Sequence, residues 1–342
     1  MKVAIGYRVV EGPWGGGNGF VTALESALRA ANHGIVHDLK DADIDIILLF
    51  DPRARLPNIP FAAGAILRYL AFRNPRAIAI HRVNECDERK NTRTMNLRLW
   101  LGNYCADHTV FVGSWLQNLP VWKERRNRDS SVILNGADDS LFHSAGYRNW
   151  DGHGVLKLVT HHWGGNWMKG FDVYDLIDRM LVAASWRDRI AFTYIGNLPK
   201  GYRFRNARYV PPLAGKDLAD ELRSHHVYVT ASINEPGGNH QNEGALCGLP
   251  LLYRKSGCLP EYCDGFGIMF EGPEDFGAAL EKMIGSYASL SPRMRAYPHR
   301  AAKTAAQYLA LFEDLTARRS EIVRNRRLLR DPLRFLLNQI PW

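Results

Sequence analysis

The stretch Asn234-Glu235-Pro236-Gly237-Gly238-Asn239-His240-Gln241-Asn242-Glu243-Gly244-Ala245-Leu246-Cys247-Gly248-Leu249-Pro250 decides the reading of this chain. It comes after a short apolar run, Val227 to Ala231, with the look of a buried strand, and it opens a helix that Gly248 closes. Strand, glycine-containing loop and helix in that order mark the carboxyl end of a strand in an α/β unit. Two glutamates, Glu235 and Glu243, bracket the loop with seven residues between them. A carboxylate accepts two hydroxyl donors, which suits a sugar or a ribose. Gly237 and Gly238 let a ligand approach the backbone. The amides of Asn239 and His240 then point at a phosphate from the start of the helix.

The same grain extends both ways from this loop. Upstream, Leu156 to Thr160 is a strand, Phe171 to Ala184 a helix, Ala191 to Ile195 a strand and Lys216 to Arg223 a helix. Downstream, Leu251-Leu252-Tyr253 is a strand and Pro273 to Tyr287 a helix. The N-terminal half repeats the alternation with strands at residues 2–7, Ile44 to Phe50, Ala77 to Ile80 and Thr109 to Val112, and helices at Phe20 to Ala31, Phe61 to Phe72 and Thr94 to Leu101. Alternation of this kind predicts parallel sheets covered on both faces. The fold class is therefore α/β, with two doubly wound units in tandem and the polar stretch Gly146 to Gly154 as linker. The cleft between two such sheets is the expected ligand site.

Other chemistry-bearing motifs are weaker. Trp14 to Gly19 is glycine-rich after the first strand, but no Gly-Lys-Ser/Thr comes next, and the spacing from Gly15 lacks the third glycine of a dinucleotide fingerprint. Asp41-Ala42-Asp43 spells a two-carboxylate metal motif, yet it precedes a strand far from the donor-like loop and reads as a solvated turn. The pairs His161-His162 and His225-His226 are poor metal sites, because neighbours on a strand point to opposite faces.

Residues 235–250 resemble the donor-binding signature of glycosyltransferase family 4, the retaining GT-B enzymes: a glutamate, seven residues with a central glycine, a glutamate, then a small-residue helix ending Gly-x-Pro. Ser256 to Glu261 resembles the family's next glycine turn, and Asn135-Gly136-Ala137-Asp138 to Phe142 its interdomain Asn-Gly-x-Asp segment. The resemblance implies a GT-B fold of two Rossmann-like domains facing a cleft: an acceptor-side domain over 1–145, a nucleotide-sugar domain over 155–320, and a helical segment over 321–342 packing back towards the N-terminal domain. It also implies roles. Glu243 holds the ribose, and Glu235 meets hydroxyls of the transferred sugar. Gly238, Asn239, His240, Lys169 and the glycine loop at Gly16 and Gly17 face the diphosphate. His81, after the strand Ala77 to Ile80, reaches the sugar and joins Glu235 and Lys169 as catalytic. Glu85 and Asp87, in the polar run just past it, are expected on acceptor hydroxyls. The sequence departs from the family where an arginine usually stands six residues before the lysine: Trp163 is there, preceded by His161-His162. His162, or an arginine such as Arg82, is the expected substitute on the diphosphate. No cofactor and no metal are implied; the nucleoside diphosphate sugar is a substrate. The expected acceptor is a saccharide or a lipid-linked hydroxyl, as in cell-surface polysaccharide or glycoconjugate synthesis. The alternatives are an epimerase of the same fold, or a non-catalytic binder of sugar or nucleic acid.

Composition agrees with a globular two-domain chain of 342 residues, with 46% apolar and 23% charged residues. No apolar run is long enough to span a bilayer, and the first residues read as a strand with no leader pattern. Five scattered cysteines without a C-x-x-C pair fit a reducing, cytoplasmic setting. The net charge of +9 is local: Arg318 to Arg334 holds seven arginines against Glu321 and Asp331. An anionic membrane surface is a candidate partner there, and no aromatic-interleaved basic stripe points to nucleic acid. Ile322, Leu329 and Leu336 recur every seven residues and are expected to pack inward, leaving Arg324, Arg326, Arg327 and Arg330 outward with Phe335 and Trp342 as interfacial anchors.

Overall fold

A computed structural model of the chain describes residues 1–10, 16–53, 56–123 and 129–340. The chain divides into two compact units. The first comprises Met1–Val10, Gly17–Leu134 and Ala302–Trp342, and the second runs over Asn135–Ala301 and takes in Gly16. The second unit thus begins ahead of the stretch Gly146 to Gly154 expected as linker, and the return to the first unit falls at Ala302, inside the segment that the sequence assigns to the donor side.

The first unit is built on six parallel strands: β1 (Lys2–Ile5), β2 (Gly34–Val36), β3 (Ile46–Leu49), β4 (Ile78–Val83), β5 (His108–Phe111) and β6 (Ser130–Val132), in the order β2-β1-β3-β4-β5-β6. Residues Ile46-Ile47-Leu48-Leu49 are all buried, as a strand covered by helices on both faces requires. Helix Gly16–Ala30 and the long helix Ala301–Ala317 meet one face, where Phe20, Leu24, Tyr308, Phe312 and Leu315 pack on Val3, Ile5 and Leu48. Helix Ala63–Phe72 meets the other face through Ile66, Leu67 and Leu70.

The second unit has β7 (Leu156–His162), β8 (Ile190–Gly196), β9 (Arg208–Val210), β10 (Val227–Thr230), β11 (Leu251–Arg254) and β12 (Gly267–Phe270), all parallel, in the order β12-β11-β10-β7-β8-β9. Counted within the unit, this is the doubly wound order 3-2-1-4-5-6 read from the other edge. The strand order reverses between β7 and β10, which pair through Val227 with Leu158 and Tyr228 with Val159. Ligands in such sheets bind beyond the carboxyl ends of the strands at that reversal, so the topology alone directs attention to the residues just past His162 and Thr230.

Three expectations change. β4 continues through His81 and Arg82 to Val83, so both residues sit within a buried strand and not after it. Arg82, expected in a polar loop, is instead buried with its guanidinium 4.2 Å from the Phe20 ring and 4.9 Å from Phe50. The C-terminal apolar repeat also splits: Ile322 packs on the core, whereas Leu329 and Leu336 are 70% and 63% exposed. Leu328 and Phe335 take the inward positions instead, and Arg326 is tied to Asp107 at 2.6 Å. The expected role of Trp342 lies outside the described residues.

All five cysteines are buried and none forms a disulfide. Among the described residues no helix is long and apolar enough to cross a membrane.

Candidate functional site

The segment after β10 is fixed by backbone that only glycine fits. A Cβ on Gly238 would come 2.5 Å from His240 Nδ1 and 3.1 Å from Glu235 Oε1. Gly257, at φ +59°, passes so close that a Cβ would strike the Glu235 backbone. The amide of Cys258 donates to the Glu235 carbonyl at 2.8 Å, and the Asn234 amide to Ser256 Oγ at 2.8 Å. The turn Ser256-Gly257-Cys258 therefore supports the first glutamate from behind. Gly244 faces the Tyr228 ring, which lets helix His240–Leu246 lie directly on β10 and sets the second glutamate's position.

Both glutamates meet cationic or hydrogen-bonding partners from β7 and the segment that leaves it. Lys169 Nζ lies 2.8 Å from Glu235 Oε2, with the two side chains 8% and 2% exposed. Lys169 ends a short 3-10 turn, and Gly170 at φ +99° passes against Ala231 where no side chain fits. His161 Nε2 lies 2.6 Å from Glu243 Oε2, while its Nδ1 meets the Tyr228 hydroxyl at 3.0 Å. Nε2 faces a carboxylate oxygen, which only accepts, so it is the donor in that contact. Burial pushes the Tyr228 phenol well above its ordinary range, so the hydroxyl keeps its proton.

His162 lies differently from its neighbour. Its Nε2 meets the Tyr174 hydroxyl at 2.7 Å, and its ring centre is 4.6 Å from that of His240. His240 in turn bonds Thr230 Oγ1 through Nε2 at 2.8 Å. His161 is also within 6.3 Å of His240, centre to centre. Thr160 and His162 share the Tyr174 side of β7 while His161 turns to Tyr228 and Glu243, so the strand alternation separates the two histidines. Among the described residues, no cluster of three or more His, Cys, Asp or Glu could hold a metal. Asp41 and Asp43 both bond Lys2, at 2.8 and 2.6 Å, and their partnership raises the Lys2 pKa.

A buried amide network braces the loop. Asn135 Nδ2 donates to the Gly237 carbonyl at 2.6 Å, Asn242 Nδ2 donates to the Asn135 carbonyl at 3.2 Å, and the Tyr297 hydroxyl donates to Asn242 Oδ1 at 2.6 Å. Gly136, next to Asn135, passes against the Arg300 backbone with no room for a Cβ. The sequence marks 135–138 as a motif without showing that it holds the loop. Asn239 contributes its Oδ1 to Asn242 at 3.1 Å and its carbonyl to the Glu243 amide at 2.9 Å.

The remaining candidate residues belong to other surroundings. Gly16 groups with the second unit, where a Cβ would lie 3.4 Å from Asn239. Gly17 faces Tyr7 and Phe50 in the first unit. His81 is buried, and its Nδ1 accepts from Asn103 Nδ2 at 3.0 Å. Glu85 meets Arg89 at 2.9 Å and Lys90 at 3.1 Å; burial opposes its ionisation, but the two cations outweigh it and hold the carboxyl below the usual range. Asp87 accepts from Thr92 Oγ1 at 2.6 Å and from the amides of Met95 at 2.8 Å and Asn96 at 3.0 Å. It caps helix Met95–Gly102 from a distance in sequence, and its bonds keep it ionised against partial burial.

Similarity to known proteins shows the same division between fold and detail. No family model matches the chain. A stretch of 104 residues is 32% identical to a D-inositol 3-phosphate glycosyltransferase from Saccharomonospora viridis; it covers 29% of this chain and 23% of that protein's length. Solved structures match over nearly the whole chain. Sucrose-phosphate synthase from Thermosynechococcus elongatus gives a TM-score of 0.65 at 15% identity, over 93% of this chain and 99% of that one. HepE from Anabaena, in complex with UDP and glucose, gives 0.63 at 12% identity, over 92% and 99%. AviGT4, a glycosyltransferase of avilamycin A biosynthesis, gives 0.64 at 16% identity, over 93% and 98%. The two parallel six-stranded sheets with interleaved helices are those of the GT-B glycosyltransferase fold.

Proposed function

We propose that this protein is a retaining glycosyltransferase that moves a sugar from a nucleoside diphosphate sugar to a hydroxyl of a saccharide or lipid-linked acceptor. The observation that carries the reading is the pairing at the β7–β10 reversal: Glu235 with Lys169, and Glu243 with His161, on either side of a glycine loop. Two aimed carboxylates suit two sets of vicinal hydroxyls, one on the ribose and one on the sugar. In this reading Glu243 takes the ribose and Glu235 the sugar. Lys169 shares its charge between Glu235 and the diphosphate, joined by the amides of Gly238, Asn239 and His240 and by the turn at Gly16 and Gly17. His162 supports His240 beneath the phosphates. The matched region of the inositol-phosphate enzyme and the nucleotide-bound HepE complex support the reaction class.

The bond from the anomeric carbon to the diphosphate breaks, and the acceptor oxygen bonds to that carbon on the same face. The acceptor proton passes to the departing diphosphate oxygen. Charge gathers on the diphosphate, and Lys169 with the loop amides stabilises it without a metal or other cofactor. A panel of nucleotide sugars tests this. Stabilisation by a nucleoside diphosphate, transfer with the anomeric configuration retained by NMR, and full activity in chelator are expected; at 100 times its Kd a ligand adds about 2.7 kcal/mol. Nucleotide binding without release of sugar from any donor would defeat the transferase reading.

A further inference from the structure

The segment after Asn325 displays a row of large apolar side chains: Leu329, Leu333, Leu336 and Ile340, exposed by 70%, 66%, 63% and 50%. Leu333 and Leu336 stand on helix Pro332–Leu337, and Leu329 and Ile340 on the turns that flank it. The opposite side is pinned to the first unit. Arg326 bonds Asp107 and the carbonyls of Pro75 and Ala77 at 2.6–2.9 Å. The Tyr104 hydroxyl donates to the Leu328 carbonyl at 2.9 Å, Arg334 stacks 3.7 Å above Trp100, and Asn338 Nδ2 donates to the Leu101 carbonyl at 3.0 Å. Phe335 packs on the core. A loose amphipathic segment would roll its leucines onto the protein. This one is held with them outward.

Arg327 and Arg330 are exposed on this segment and Arg324 on the end of the helix just before it, with the Arg330 guanidinium 5.1 Å from the Tyr104 ring centre. The carboxylates here are engaged: Asp331 caps the Arg334 amide, and Glu321 lies 3.8 Å from Arg318. The surface is therefore apolar and cationic together. A second copy of the chain is a poor occupant, because a two-fold interface sets like patches, and hence these arginines, against one another. An acidic bilayer matches both components, with leucines among the acyl chains and guanidiniums at the level of the phosphates. We propose that Leu329, Leu333, Leu336 and Ile340, with Arg324, Arg327 and Arg330, dock this protein on an anionic lipid surface. The proposal is independent of the transfer reaction.

Co-sedimentation with vesicles tests it. The full chain binds mixed phosphatidylcholine–phosphatidylglycerol vesicles, binds pure phosphatidylcholine vesicles far less, and is released by salt. Leu333→Ser/Leu336→Ser and, separately, Arg324→Ser/Arg327→Ser/Arg330→Ser each lower partition by roughly ten-fold or more. Leu329→Ser/Ile340→Ser removes the ends of the same row, so the result does not depend on one variant folding. No binding by the parent chain, or unchanged binding in the variants, overturns the proposal. So does self-association, by light scattering without lipid, that the leucine variants abolish.

Discussion

Glu243 and His161 stand 82 residues apart in the chain, yet their Oε2 and Nε2 atoms are 2.6 Å apart. The ring is itself held by Tyr228, on the strand paired with β7, so one carboxylate is aimed by a chain of two side chains rooted in adjacent strands. A departure from a family pattern at 161–163 thus coincides with the partner of the second glutamate.

Replacing His161 with Phe keeps a ring of similar bulk and removes both hydrogen bonds. Titration calorimetry should then show nucleoside diphosphate binding weakened by about 10–100-fold, the worth of a hydrogen bond to a charged group. Tyr228→Phe should cost less, because His161 retains its bond to Glu243. Parent-like affinity in His161→Phe would mean that Glu243 is aimed without the ring.

Lys169 and Glu235 form a buried pair, and removing one takes the nearest counter-charge from the other. Lys169→Met should cost about 3–5 kcal/mol in urea unfolding. The double variant Lys169→Met/Glu235→Gln should regain much of that stability and remain inactive in sugar transfer. Recovery of transfer together with stability would assign the pair to the fold alone.

Gly238→Ala places a methyl group between His240 and Glu235. Both side chains must give way. Turnover should fall by an order of magnitude or more, since about an ångström of misplacement costs that much and beyond. Parent-like kinetics would show that the loop relaxes freely.

Acid should destabilise the protein through its buried histidines. Burial pushes His108 down to about 4, and burial likewise lowers His225 and takes His226 to about 4. The unfolded chain binds protons on these rings near pH 6.5 and the folded chain does not, so stability falls as pH drops from about 6.5 towards 4. For His108, 7% exposed, the loss is on the order of 3 kcal/mol across that window. Glu85 acts in the same sense at lower pH, because its depressed pKa adds stability only where it is ionised. His108→Gln should flatten the fall in melting temperature between pH 7 and 4; an unchanged slope would place the acid sensitivity elsewhere.

The sequence carries the alternation of elements well where strands are fully buried, as in Ile46–Leu49 and Val227–Thr230, because both faces select apolar side chains. It misses the half-exposed edge strands, such as Arg208-Tyr209-Val210, whose pattern is that of a loop. Arg82 reads as a polar loop residue because the aromatic rings that accommodate it, Phe20 and Phe50, come from distant elements. In the candidate site, Glu235, Gly238 and Glu243 are legible because their spacing is local. Which histidine faces Glu243 depends on how β7 ends beside β10, and Asn135 is tied to Gly237 across 102 residues, so neither contact has a sequence signal. The outward turn of Leu329 and Leu336 is hidden for a related reason: a heptad gives a period, but Leu328 and Phe335 set the phase.

The five buried thiols also make the molecule a reporter on its own breathing. Burial pushes Cys86 and Cys263 well up and Cys247 to about 12, so the reactive thiolate is scarce while the fold is closed. A thiol reagent then modifies each cysteine at the rate at which its surroundings open. Cys86 and Cys105 lie in the first unit, and Cys247, Cys258 and Cys263 in the second. The order in which the five acquire label, read by mass spectrometry, times the loosening of each unit by itself, without any engineered probe.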